Sequence, residues 1–189
     1  MELSAAEARS ALEDIERTTT LSARSTGYRR ASPYLILWGV IWVLGYAEPL
    51  LAPRLSEGLT WLALDLIGMI GSVVISARTQ ASRSTAPKIA SRTRRILAAS
   101  GLLVVFIIGA LTVMHPTDSA QIRVFPSLVL GLVYGLVGIF GMPRFLWIAV
   151  VVPAAGLAAY YLAPTALPLT LSLIGGGSLV VSGLWMRRL

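Results

Sequence analysis

Six stretches of predominantly apolar residues, each about 20 long, recur along this chain, and arginines mark most of the turns between them. Wound as a helix at 1.5 Å per residue, a stretch of about 20 residues measures ~30 Å, the thickness of a bilayer's hydrocarbon core. Lipid offers no partners to backbone N–H and C=O groups, so a segment lying in it must satisfy them internally. The runs are continuous rather than alternating, which selects helices over barrel strands. Hydrophobic residues make up 56% of the chain and charged residues 13%. A soluble domain carries about a quarter charged residues to cover its surface, so this composition excludes one. The fold class is therefore all-α: a polytopic membrane protein, a compact bundle of six transmembrane helices preceded by a short cytoplasmic amphipathic helix.

Residues 1–32 form the first unit, an acidic helix followed by a basic connector. Ser4 and Glu7 make a capping-box pattern, and Ala5, Ala8, Leu12 and Ile15 recur at helical spacing. Glu2, Glu7, Glu13, Asp14 and Glu16 outweigh Arg9 and Arg17 there, so the helix is acidic in a protein of net charge +7. The Thr/Ser/Arg-rich residues 18–32 read as the connector. No cleavable signal peptide is expected, because residues 1–30 hold no apolar core of the required length. Residues 33–189 form the six-helix domain, with spans at about 33–52, 59–77, 96–114, 124–141, 145–162 and 168–186. Pro33 reads as the first helical residue of span 1, after the cap Ser32.

The basic residues orient this bundle. Arg24, Arg29, Arg30, Arg78, Arg83, Lys88, Arg92, Arg94, Arg95, Arg144, Arg187 and Arg188 fall on one side, and only Arg54 and Arg123 on the other. Positive residues stay inside, so both termini are cytoplasmic. The same placement explains the net charge without nucleic acid: the cations flank apolar runs, and the lipid bilayer is the partner. Arginine supplies 15 of the 16 basic residues, and with abundant Ala and Gly this points to a GC-rich bacterial genome and its inner membrane.

Ionisable residues inside hydrocarbon are costly and mark interior or watery sites. Glu48 in span 1 and Asp65 in span 2 fall at similar depth, each ~9 Å below the outer surface. Two carboxylates at one depth can share a proton or hold a cation. Tyr46, His115, Arg54 and Arg123 complete a candidate outward-facing substrate or ion site. The structural alternative is an interfacial Glu48–Arg54 pair with Asp65 bonded to a neighbouring helix. Asp65 costs span 2 at most ~3 kcal/mol, which its aliphatic residues offset, so it is tolerable without a function.

Catalytic machinery and cofactors are not expected. Cysteine is absent and His115 is the lone histidine, which excludes thiolate sites and leaves zinc short of ligands. No metal is expected, and neither a Gly-x-Ser-x-Gly nor a phosphate-cradling glycine loop occurs. Gly131 and Gly135, continued by Gly138, make a face for packing within the chain or for homodimerisation. Pro153 predicts a kink in span 5. Trp61, Trp147 and Trp185 sit near span ends as interfacial anchors. A second candidate surface is the basic stretch 78–95, where Arg78, Arg83, Lys88, Arg92, Arg94 and Arg95 can hold anionic lipid headgroups or a partner protein.

Three functions fit these residues. One is a small transporter or channel-like protein with an outward-facing acidic site. Another is a non-transporting membrane subunit or regulator working through its N-terminal helix and basic loop. The third is an intramembrane enzyme.

Overall fold

A computed structural model describes residues 5–51, 56–81 and 86–188. No strand occurs among them; six helices account for nearly all of the chain. They are α1 (Ala5–Leu51), α2 (Glu57–Ala81), α3 (Ala86–Met114), α4 (Ser119–Ile139), α5 (Leu146–Leu162) and α6. Helix α6 runs over 167–187 as an α turn Leu167–Thr170, a π-helical stretch Leu171–Gly176 and an α segment Gly177–Arg187. Five helices are long and apolar enough to cross a membrane, and α3 contributes a shorter apolar stretch, Ala98–Met114.

The first helix departs from the sequence expectation. A separate amphipathic helix, a connector and a span starting at Pro33 were expected, but α1 continues through all three over 47 residues. Residues 18–32 lack a proline, and their hydroxyls are absorbed by the helix. Thr19 and Thr20 donate to the carbonyls of Ile15 and Glu16, at 2.7 and 2.8 Å. Pro33 therefore lies inside the helix rather than at its start. The helix measures about 70 Å, more than twice a hydrocarbon core. Among the described residues its first buried one is Tyr28, and residues 11–16 and 18–24 are exposed, clear of the bundle. Ser4, half of the expected capping box, lies outside the described residues.

The basic loop also shrinks. Helix α2 extends to Ala81 and α3 begins at Ala86, leaving four residues where 78–95 was read as loop. Pro87, second in α3, suits a first turn, where no N–H is needed. Arg83 lies outside the described residues, as do the side chains of Lys88, Arg92, Arg94 and Arg95, whose backbone is helical. Arg78 is exposed.

The core lies between α1, α4, α5 and α6, where Leu35, Ile148, Val152, Leu167, Leu171, Leu179 and Met186 are buried. Helices α1 and α6 meet backbone to backbone. A Cβ added at Gly176 would stand 2.6 Å from the Val43 nitrogen, and one at Gly183 would stand 2.9 Å from the Ser32 carbonyl oxygen. Serines lock that seam: Ser32 Oγ donates to the Gly183 carbonyl at 2.7 Å and Ser172 Oγ to the Val43 carbonyl at 2.9 Å. Between α4 and α5, the Pro153 ring lies over Gly131, where an added Cβ would come 2.6 Å from its Cγ. This glycine face thus packs within the chain.

Helix α2 lies against α1. Trp38 Nε1 donates to Ser72 Oγ at 3.2 Å, and the Tyr34 and Ser76 hydroxyls are 2.7 Å apart. The opposite face of α2 is bare, with Leu62, Leu66, Met69, Ile70 and Val73 all more than half exposed. No residue of α3 from Ala98 onward is buried. Helices α3 and α6 therefore occupy unequal positions, and the two halves of the chain do not pack as equivalents.

Candidate functional site

Two polar constellations lie at opposite ends of the bundle. At the first, the end of α1 meets the starts of α2 and α4. Arg123, in the second turn of α4, donates from Nε and Nη2 to the two oxygens of Glu57, at 2.8 and 2.7 Å. This bidentate fork fixes the guanidinium plane as well as its charge. Glu57 stands in the first turn of α2, where an acid is favoured by the helix dipole. Arg123 also offers its carbonyl to the Tyr46 hydroxyl at 2.9 Å, tying α1 to α4. The Tyr46 ring is held edge-to-face by Trp42 and Trp61, with centroids 5.4 and 4.9 Å away.

Glu48 lies two residues beyond Tyr46 and is only 7% exposed. It is within Coulombic reach of Arg123, and among the described residues its carboxylate makes no hydrogen bond or ion pair. Asp65 belongs to the side of α2 that carries Trp61, Gly68 and Ser72, and it is close enough to act electrostatically on Tyr46. The register set by Tyr34 with Ser76 and Trp38 with Ser72 puts Asp65 level with Gly45, one turn from Glu48. Unlike Glu48, Asp65 is exposed. The two carboxylates thus share a depth, one inside the bundle and one at the edge of the α1–α2 seam.

The other expected members separate. His115 is exposed and ends α3 in a left-handed conformation with φ 41°, its N–H donating to the Leu111 carbonyl. Its role there is a helix stop ahead of Pro116. Asp118 caps α4 by accepting from the Ala120 N–H at 2.9 Å. Arg54 lies outside the described residues. Trp61, expected as an interfacial anchor, packs instead against Gly45 and Tyr46 inside the seam. Glu57 was not singled out by the sequence reading. The available signal was Arg123 itself: a cation on the sparsely charged side needs a counter-ion, and an acid in a first turn is a natural one.

The second constellation was also missed. Arg144 lies in the α4–α5 turn, which Gly141 opens at φ 150°, a region that glycine alone enters freely. Its guanidinium is clamped between the rings of Trp185 and Tyr28, 4.6 and 5.4 Å from their centroids. The Arg144 backbone N–H donates to the Tyr28 hydroxyl at 3.2 Å. Tyr28 stacks on Phe145, which stacks on Tyr134. Two buried donors here have no acceptor among the described residues, Arg144 Nη1 and Trp147 Nε1.

Chemically, the first site combines a buried carboxylate, Glu48, and an exposed one, Asp65, with the Glu57–Arg123 pair already neutralised. The second presents positive charge and unused N–H groups. Comparison with protein-family models, with curated proteins and with solved structures finds no match to this chain.

Proposed function

We propose that the chain is a six-span protein of a bacterial inner membrane, both ends cytoplasmic, acting as a membrane subunit that presents the start of α1 to a cytoplasmic protein partner. The count of six is supported by the Glu57–Arg123 fork, which sets the starts of α2 and α4 at one end of the bundle. Helix α2 leaves that end, so the chain must return across the same thickness before α4. Helix α3, about 43 Å long, is the element available to do so. The cytoplasmic placement follows from the arginines gathered at the opposite end.

The observation that carries the partner reading is the free-standing first part of α1. Leu12, Ile15 and Leu21 are 66, 63 and 56% exposed on it, beside the exposed acids Glu13, Asp14 and Glu16. An apolar groove with a basic rim would cover such a surface, gaining about 1.5–3 kcal/mol per aliphatic side chain fully buried. Photo-crosslinking residues placed at Leu12 and Ile15 should each give the same discrete adduct in living cells. Leu12→Glu should abolish the Ile15 adduct, and deletion of residues 1–20 should abolish the cellular phenotype. A phenotype that survives the deletion but is lost in Glu48→Gln overturns the reading.

That last outcome would favour a transport or ion-binding function, for which the burial of Glu48 beside Arg123 speaks. In this second reading the carboxylate is the ligand, and Asp65 lies near its approach. Ion uptake into vesicles holding the purified protein, measured for wild type and Glu48→Gln, tests it.

A further inference from the structure

Among the described residues, the charges around Arg144 form no ion pair. The sequence contains no acidic residue from Arg17 to Ala47, none from Leu66 to Thr117, and none from Ser119 to Leu189. Those segments supply the Arg144 end of every helix in the bundle. Glu57 and Asp65 belong to the opposite end, and Glu16 lies twelve residues before Tyr28 on α1, ~18 Å further along the axis. The two rings clamping Arg144 each bring a further pair of arginines, Arg29 and Arg30 after Tyr28, and Arg187 and Arg188 after Trp185. Buried donors are nearly always satisfied, yet Arg144 Nη1 and Trp147 Nε1 have no partner among the described residues. They project from positions three apart at the start of α5, within one turn of each other.

We propose that Arg144 and Trp147 form a phosphate-binding site that holds the headgroup phosphate of an anionic phospholipid. The guanidinium supplies a charged donor, pre-oriented because Tyr28 and Trp185 fix its plane, and such a donor suits a phosphate oxygen. The indole N–H supplies a neutral one. Trp185 is 47% exposed, so one ring of the clamp lies at the surface of the bundle. The site is built: its cation lies against two rings and its donor nitrogens are buried. It does not involve the projecting part of α1, so it stands or falls apart from the partner reading.

Binding of short-chain phosphatidylglycerol to the purified full-length protein in a non-ionic detergent tests the proposal, with native mass spectrometry counting bound lipid. Trp147→Phe keeps the ring and removes only the N–H; it should weaken binding about fivefold. Arg144→Gln should weaken it tenfold or more, and Arg144→Lys should recover only part of the loss, since a point charge replaces the clamped fork. The paired substitution Arg187→Gln with Arg188→Gln should cost less than Arg144→Gln alone. Competition by millimolar inorganic phosphate would support the same site with free phosphate as its ligand, whereas resistance to it assigns the site to lipid. Equal lipid binding by wild type, Trp147→Phe and Arg144→Gln would overturn the proposal. So would a loss that follows Arg187 and Arg188 while both of those variants bind normally.

Discussion

Replacing Gly176 by alanine should unseat α6 from α1, while the same change one residue later should not. At Gly176 the new methyl would lie 2.6 Å from the Val43 nitrogen, 2.7 Å from Val43 Cγ2 and 2.8 Å from the Gly39 carbonyl oxygen. Two of these three atoms are backbone, so no side-chain rotation relieves the clash. Ordinary contact begins near 3.4 Å, so the helices must part by about 0.6–0.8 Å. A gap of that size forfeits roughly a quarter to a half of each dispersion contact along the seam. It also stretches the Ser172 bond to the Val43 carbonyl, now 2.9 Å, beyond about 3.5 Å, where it ceases to count as a hydrogen bond. Packing and interhelical hydrogen bonds are what hold helices together in lipid. Overpacking costs about 1–3 kcal/mol and the lost bond ~0.6 kcal/mol, so the total falls near 2–4 kcal/mol. A cost of 2–4 kcal/mol lowers the thermal midpoint of a chain this size by roughly 5–12 °C. At Gly177 a Cβ meets nothing within 4 Å, and alanine's better helix propensity stabilises by up to about 1 kcal/mol. Thermal unfolding in one detergent, followed by circular dichroism, compares the two variants directly. A midpoint for Gly176→Ala within about one degree of wild type would refute the backbone-contact reasoning; a larger loss in Gly177→Ala would refute it equally.

Other perturbations separate the remaining interactions. Gly131→Ala should destabilise by about 1–3 kcal/mol, and less in a Pro153→Ala background, because the Cγ it strikes is then absent; a double-mutant cycle of melting midpoints measures the difference. A cycle on Glu57→Gln and Arg123→Gln should give a coupling of about 1 kcal/mol, since the fork is bidentate but the side chains are 39 and 24% exposed; the coupling should shrink in high salt. Ser32→Ala should cost about 1 kcal/mol, read as a lower midpoint, through its lost bond to the Gly183 carbonyl. Asp65→Leu should leave the midpoint unchanged or raise it, because the carboxylate is exposed and has no hydrogen-bond partner among the described residues.

The apolar runs made the helices legible, since each is a local property of 20-odd residues facing one solvent. Breaks in the runs were less legible. The stretch 18–32 looked like a connector because serine and threonine favour turns, but a hydroxyl that bonds back to the preceding turn, as Thr19 and Thr20 do, is compatible with a helix. Depth along a helix could be counted, so Glu48 and Asp65 were found within a turn of one level. Which way each faces depends on rotation about the helix axis, set by Gly68 against Ile41 and by Trp38 against Ser72. That rotation buries Glu48 and exposes Asp65. Partners distant in sequence were the least accessible. Arg123 called for a counter-ion, but nothing local to it selects Glu57, 66 residues away, and nothing near Arg144 points to Tyr28, 116 residues away.

The two ends of the bundle handle charge in opposite ways, and this links orientation to binding. At the Glu48 end the chain supplies both signs, and the Arg123 cation is neutralised by a fork within the protein. At the Arg144 end the charged side chains among the described residues are all positive. Orientation during insertion requires only that arginines be numerous on one side; exposed arginines such as Arg29, Arg187 and Arg188 serve that purpose. It does not require that one of them be threaded between two aromatic rings with a donor nitrogen withdrawn from water. The Arg144 Nη1 donor is buried without a partner among the described residues, which costs free energy that insertion does not return. On the proposed orientation that end faces the cytoplasm, where leaflets carry anionic headgroups, and an anion drawn from that leaflet would offset the cost. The same arginine excess that orients the chain would then also supply its lipid ligand site.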